Sequence, residues 1–86
     1  MAREIIWTRL ILETFIREAA LTEREEKVMR LHVAEVSRLE IAEYINASVS
    51  TVDTIIRRCK RKYDAAQKAN PDTLPKRKRS VKETFR

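Results

Sequence analysis

The sequence predicts an all-α fold, a small helical domain of about four helices, and three observations carry that expectation. Glycine is absent, proline occurs twice and 37% of the residues are charged, whereas sheets joined by hairpins normally draw on glycine at their turns. Apolar residues recur at helical spacing. Hydroxyl residues (Thr22, Ser37, Ser48) stand ahead of three such runs, where the start of a helix needs an acceptor. With 86 residues, 43% of them hydrophobic, there is room for one core and not two.

The first helix is expected over 3–20. Ile5, Ile11, Leu12, Phe15, Ile16 and Ala19 share one wide face. Ile6, Trp7 and Leu10 fall outside that face, so the beginning of the segment is apolar nearly all round. Either these residues fill extra core volume or they form a second contact surface, for a homodimer or a protein partner.

The second helix is expected over 22–34. Thr22 and Glu25 have the spacing of a capping box, and Glu23, Glu25 and Glu26 favour the positive end of the helix dipole. Val28, Met29 and Leu31 face inward, with Leu21 as a staple. Ser37 and Glu40 repeat the capping-box spacing and open a short helix over 38–45, with Ile41, Ala42 and Ile45 inward. Asn46-Ala47-Ser48 interrupts it, since Asn tolerates the left-handed backbone that ends helices. Ser48 then caps a long helix over 49–68, with Val52, Ile55, Ile56, Cys59 and Tyr63 along its inner side. Asn70-Pro71-Asp72 ends it. The helical domain therefore covers 1–69, and 70–86 reads as a disordered basic tail containing Lys76-Arg77-Lys78-Arg79. No internal repeat is visible.

The net charge of +6 conceals a division. Up to Ile56 there are seven basic and ten acidic residues; from Arg57 onward there are twelve and three. A mildly acidic body thus carries a strongly basic end, which suits a polyanionic partner. One Cys and one His exclude a disulfide framework or a zinc finger made by this chain alone. So short a chain rarely encloses a pocket, and no catalytic constellation stands out, so neither an enzyme nor a cofactor, metal or small-molecule substrate is expected. Ile5-Ile6-Trp7 is followed by Thr8-Arg9 and Glu13, which breaks any targeting stretch, and no run approaches a membrane span. A cytoplasmic location is expected, consistent with a lone cysteine.

Two capped helices joined by a short turn, the second long and basic, describe a helix-turn-helix. The order of residues adds to this. Leu21-Thr22-Glu23-Arg24-Glu25, then Val28, Leu31, Ser37, Glu40-Ile41-Ala42-Glu43, Ile45, Ser48 and Thr51-Val52, resembles the DNA-binding helix-turn-helix of sigma-factor region 4 and of LuxR-type regulators, without a gap over roughly Leu21 to Arg61. The extra helix precedes the motif, and Phe15 to Leu21 resembles the run-in to region 4, so the sigma-like branch is the closer one. The resemblance implies a small sigma-like transcriptional regulator, of the kind found in bacteria, phages and mobile elements, rather than a complete sigma factor. The pattern departs in places. Gly is usual where Glu35 stands and common where Asn46 stands, and Ala47 replaces a larger aliphatic residue. Glu35 implies a different connection between the first two helices of the motif.

With Val52, Ile55 and Cys59 inward, the opposite side of the long helix carries Ser50, Thr54, Arg57 and Arg61, flanked by Asp53 and Arg58. The first residues of a recognition helix reach base edges, so Val49, Ser50, Asp53 and Thr54 are the candidates for reading sequence: Val49 against a thymine methyl, Asp53 accepting from a cytosine amino group. The family's contacts align with the same positions. Arg57 takes guanine or phosphate; Arg58, Lys60, Arg61 and Lys62 bind phosphate, and Lys76, Arg77, Lys78 and Arg79 add sequence-independent affinity. Against this stand plainer roles: a solvated face for 57–62, an Asp53–Arg57 bridge at i,i+4, and a merely solubilising tail. His32 reads as a boundary residue and Cys59 as a small core residue.

Two readings of function follow. One is a sequence-specific duplex-DNA-binding transcription regulator, with RNA polymerase a candidate partner; as a dimer through Ile6, Trp7 and Leu10 it would need two half-sites about a helical turn apart. The other is a protein-interaction module that homodimerises or binds RNA polymerase, a sigma or an anti-sigma partner, with the helix-turn-helix as scaffold.

Overall fold

The computed structural model describes residues 7–77. Among them are four α-helices and no strand: α1 (Arg9–Glu18), α2 (Glu23–Val33), α3 (Arg38–Tyr44) and α4 (Val49–Ala69). The all-α expectation holds, and α2, α3 and α4 lie within one residue of their expected bounds at each end.

The first helix differs. Thr8 has extended backbone and its hydroxyl accepts the Ile11 N–H at 3.2 Å, so α1 starts at Arg9, and Trp7 precedes the helix. Inside a helix the Thr8 hydroxyl would gain little; as a cap it satisfies a donor otherwise left without a partner. Ile5 and Ile6 lie outside the described residues.

The three corners between helices share one geometry. After α1, Ala20 takes a left-handed backbone (φ 51°); after α2, Glu35 does (φ 65°); after α3, Asn46 does (φ 58°). At each, the left-handed residue and the one after it donate back to the last turn: Ala20 to Arg17 and Leu21 to Ile16, Glu35 to His32 and Val36 to Leu31, Asn46 to Glu43 and Ala47 to Ala42. This is the Schellman pattern, which normally recruits glycine because a Cβ there costs roughly 1–2 kcal/mol. The connection at Glu35 thus has the same backbone form as the other two corners. Glu35 takes the glycine backbone itself, held by two hydrogen bonds and by Val36 packing against the core.

Each corner delivers the chain to a hydroxyl N-cap. Thr22 accepts from Glu25 N–H at 3.2 Å while the Glu25 carboxylate accepts from Thr22 N–H at 3.0 Å, completing the expected capping box. Ser37 accepts from Glu40 N–H, but the Glu40 carboxylate takes the Ser37 hydroxyl rather than its backbone N–H. Ser48 accepts from Thr51 N–H.

The core forms where α1, α2 and α3 all meet α4. Phe15, Val28, Ile41, Val52 and Cys59 are completely buried, with Met29, Ala42, Ile55, Ile56 and Tyr63 nearly so. These match the expected inner faces of α2, α3 and α4; Leu31 and Ile45 are half-buried at the rim. Trp7, Phe15 and Tyr63 form an aromatic cluster with centroids 5.2–5.9 Å apart, two of the three pairs edge-on. Ion pairs tie the helices further: Arg30 of α2 grips Glu13 of α1 at 2.8 and 3.0 Å and Glu26 at 2.9 Å. The guanidinium holds the Glu13 carboxyl below its usual range.

The segment after α4 is not the free tail expected from 70. Thr73 and Leu74 donate to the Asn70 carbonyl, turning the chain back. Leu74 is fully buried, the Tyr63 hydroxyl donates to the Pro75 carbonyl, and Arg77 forms a two-bond pair with Asp64 at 3.0 and 2.8 Å. Composition averaged over a polar stretch hides the single apolar anchor, Leu74. Residues 78–86 lie outside the described residues.

Candidate nucleic-acid interface

The outward stripe of α4 is built by the helix period. With Val52, Ile55, Ile56 and Cys59 locked in the core, Ser50, Thr54, Arg57 and Arg61 all emerge on the opposite side and are exposed. At 1.5 Å per residue the stripe runs roughly 17 Å. The Thr54 hydroxyl donates to the Ser50 carbonyl at 3.1 Å, which leaves its oxygen open as an acceptor. Val49 is half-buried against the core and offers only part of its side chain outward.

The fold sorts the predicted cations into two groups. Arg57, Arg58 and Arg61 are exposed and have no ion-pair partner among the described residues. Lys62 does not join them: it turns to Glu25 at 2.6 Å, where the carboxylate is 5% exposed. Arg77 is held by Asp64, while Lys76 is exposed; Lys78 and Arg79 lie outside the described residues. Asp53 pairs with Arg38 of α3, whose Nη1 donates to both carboxylate oxygens at 2.8 and 2.9 Å, and not with Arg57. Asp53 and Arg38 are thus one polar unit beside the stripe, and the acidic group presents much less uncompensated charge there.

A residue without an assigned role in the sequence reading joins this surface. A groove of about 300 Å³ lies between the first turn of α2 and the first turns of α4. Thr22, Arg24 and Glu25 line one side; Ser50, Thr51, Thr54, Ile55 and Arg58 line the other. Arg24 and Arg58 stand exposed on its two walls. The starts of two helices, with their positive dipole ends, converge here beside those cations and hydroxyls, an arrangement suited to an anion such as a backbone phosphate. Arg24 was within view in the Leu-Thr-x-Arg-Glu run, but only the packing of α2 against α4 sets it beside Arg58.

Buried groups beneath the surface are chemically quiet. Desolvation alone raises the Glu25 carboxyl, but hydrogen bonds from Lys62 and from the Thr22 backbone outweigh it and hold the group below the ordinary value. Desolvation pushes the Cys59 thiol up to about 11 and the Tyr63 phenol up to about 12.

The expected partner surface of Ile6, Trp7 and Leu10 separates. Ile6 lies outside the described residues, Trp7 is half-buried in the aromatic cluster, and Leu10 is 71% exposed. Trp7 takes the core role because it sits before the helix and folds back onto Phe15 and Tyr63. No helix among the described residues is long and apolar enough to cross a membrane. No protein-family model, curated protein or solved structure matches the chain.

Proposed function

We propose that the chain is a sequence-specific duplex-DNA-binding transcription regulator of the sigma region 4-like type, with α4 as the recognition helix in the major groove. The observation that carries this is the division of cations. Arg30, Arg38, Lys62 and Arg77 are engaged in ion pairs, whereas Arg57, Arg58 and Arg61 have no ion-pair partner among the described residues and project from the face that also bears Ser50 and Thr54. Ser50, Thr54 and the exposed part of Val49 read base edges, Arg57 takes guanine or phosphate, and Arg24, Arg58 and Arg61 hold the backbone. The resemblance over Leu21 to Arg61 supports the same assignment. Binding to random and genomic duplex across a salt series tests it. Arg57→Ala with Arg61→Ala should lower the salt slope by nearly two, at about 0.9 per phosphate, and weaken binding at least tenfold near 100 mM salt. Salt-sensitive binding that survives both changes unaltered would sink the reading.

A second reading has its own support. Leu10, Leu39 and Tyr44 are 71%, 63% and 68% exposed, which suits a protein partner: a second copy, RNA polymerase, a sigma or an anti-sigma protein. A chain that sediments as a monomer at micromolar concentration, with Leu10→Glu making no difference, ends the homodimer version.

A further inference from the structure

We infer that the groove along the outer face of α2, walled by Tyr44, docks a basic amphipathic helix of another protein, with one large apolar side chain seated on Tyr44 and Leu31 and Lys or Arg residues beside it. This deepens the protein-partner reading, on which it rests, and is separate from the duplex reading, because none of the residues lining the groove belongs to α4. The groove holds about 330 Å³ and is lined by Glu23, Glu26, Lys27, Arg30, Leu31 and Tyr44. By the helix period, the first four of these lie on the side of α2 opposite Glu25, Val28 and Met29, which are buried. Leu31 is half-buried against the core and gives the groove an apolar floor. Tyr44 stands 68% exposed at the end of α3, although Ile41 and Ala42 of the same helix are buried. The Lys27 ammonium lies 5.6 Å from the centroid of its ring, a cation–π contact between α2 and α3. An open aromatic ring beside an apolar floor is the kind of anchor on which partner side chains are desolvated.

The charges decide the partner. Arg30 is already shared between Glu13 and Glu26. Glu23 on the groove, and Glu40 and Glu43 on the outer side of α3, are exposed and have no ion-pair partner among the described residues. Around Tyr44 and the outer face of α2, five acids (Glu13, Glu23, Glu26, Glu40, Glu43) therefore face two cations, Lys27 and Arg30. Such a surface repels nucleic-acid phosphates and anionic membranes and attracts Lys and Arg. An α-helix presents both requirements on one face, with its apolar anchor at one position and basic residues three, four or seven positions on. A second copy would have to bring Arg57, Arg58 and Arg61 of its own α4, a head-to-tail contact that does not close into a dimer.

The test titrates the full chain, isotopically labelled, with a synthetic helical peptide of Leu and Lys at that spacing. Control peptides carry Ser for Leu or Glu for Lys. The Leu/Lys peptide should shift amide resonances around Glu23, Leu31 and Tyr44 and leave those of Ser50, Thr54 and Arg57 in place. Tyr44→Ala, a change at an exposed position, should weaken this peptide about tenfold while duplex binding stays at the wild-type value. Glu23→Gln with Glu43→Gln should weaken it several-fold and flatten its salt dependence. A peptide that binds Tyr44→Ala as well as wild type, or binds equally with Ser for Leu, is held by charge alone and overturns the inference. Absence of any shift at millimolar peptide overturns it too. Binding abolished by Leu10→Glu but not by Tyr44→Ala moves the protein partner to α1, ending this groove and keeping the broader reading. Self-association abolished by both Tyr44→Ala and Arg57→Ala makes the occupant a second copy and likewise overturns the inference.

Discussion

Lys62, midway along α4, reaches the Glu25 carboxylate at 2.6 Å, and that same carboxylate closes the capping box at the start of α2. One acid therefore serves two helices. Helix α4 is fixed to the body through the end of α2 that lines the groove beside Ser50 and Arg58. Removing the lysine leaves a buried anion with its cap bond alone. With Lys62 one-third exposed, Lys62→Met should cost about 1–2 kcal/mol in urea denaturation, below the loss for a fully buried pair. On the proposed duplex-binding function, the salt slope of this variant should stay at the wild-type value, since Lys62 is engaged by Glu25 and not by the exposed stripe.

The same pair sets a pH dependence. The Glu25 carboxyl lies below its ordinary value when folded, so its contribution to stability is present above the unfolded carboxylate value and is lost as pH falls through the folded one. Denaturation measured from neutral pH down into the acid range should show this loss in the wild type. In Glu25→Gln the acid-side slope should be shallower, on a lower overall stability.

Ala20 sits at φ 51° and is exposed. Ala20→Gly should raise stability by about 0.5–1 kcal/mol, the relief of left-handed strain less the entropy glycine adds to the unfolded chain. For a domain of this size that is a rise of several degrees in Tm. Ala20→Val should move Tm the other way.

Asp53 stands beside the exposed stripe of α4 with its charge offset by Arg38 at 2.8 Å. Arg38→Ala leaves that charge without its partner, and on the proposed duplex-binding function it should weaken duplex binding several-fold in a fluorescence titration. Asp53→Ala should strengthen binding to random duplex and narrow the gap between preferred and random sequence.

Cys59 is fully buried and its thiol is pushed up to about 11 by desolvation first and by Glu25 second. At pH 8 the folded protein should react with a thiol reagent only through opening, far more slowly than in denaturant, with a rate that tracks global stability. Fast reaction in native buffer would contradict the burial.

Much of this molecule is legible from local chemistry. Thr22, Ser37 and Ser48 announce three helices because a cap hydroxyl and the apolar period after it are both short-range signals. The exposed stripe Ser50, Thr54, Arg57 and Arg61 follows from the same period. The start of α1 was obscured because the apolar residues around Trp7 continue the helical pattern past Thr8, and only docking onto Tyr63 decides between helix and corner. Asn46 is legible because asparagine tolerates the left-handed backbone, but the corners at Ala20 and Glu35 are not, since their signal is normally glycine and alanine and glutamate carry that backbone instead. Arg38–Asp53, Lys62–Glu25 and Arg77–Asp64 join residues far apart in sequence, so no spacing rule exposes which cations the fold withdraws from the surface.

The aromatic cluster has a practical consequence. The chain has one tryptophan, and its indole lies 5.6 Å from Tyr63 and 5.9 Å from Phe15 by ring centroid. Tyr63 is also the residue that holds the Pro75 carbonyl. Emission from Trp7 is therefore an intrinsic optical gauge of both ends of the described chain: detachment of the N-terminal segment alters it directly, and loosening at Pro75 alters it through the shared tyrosine. No label is needed to watch either event.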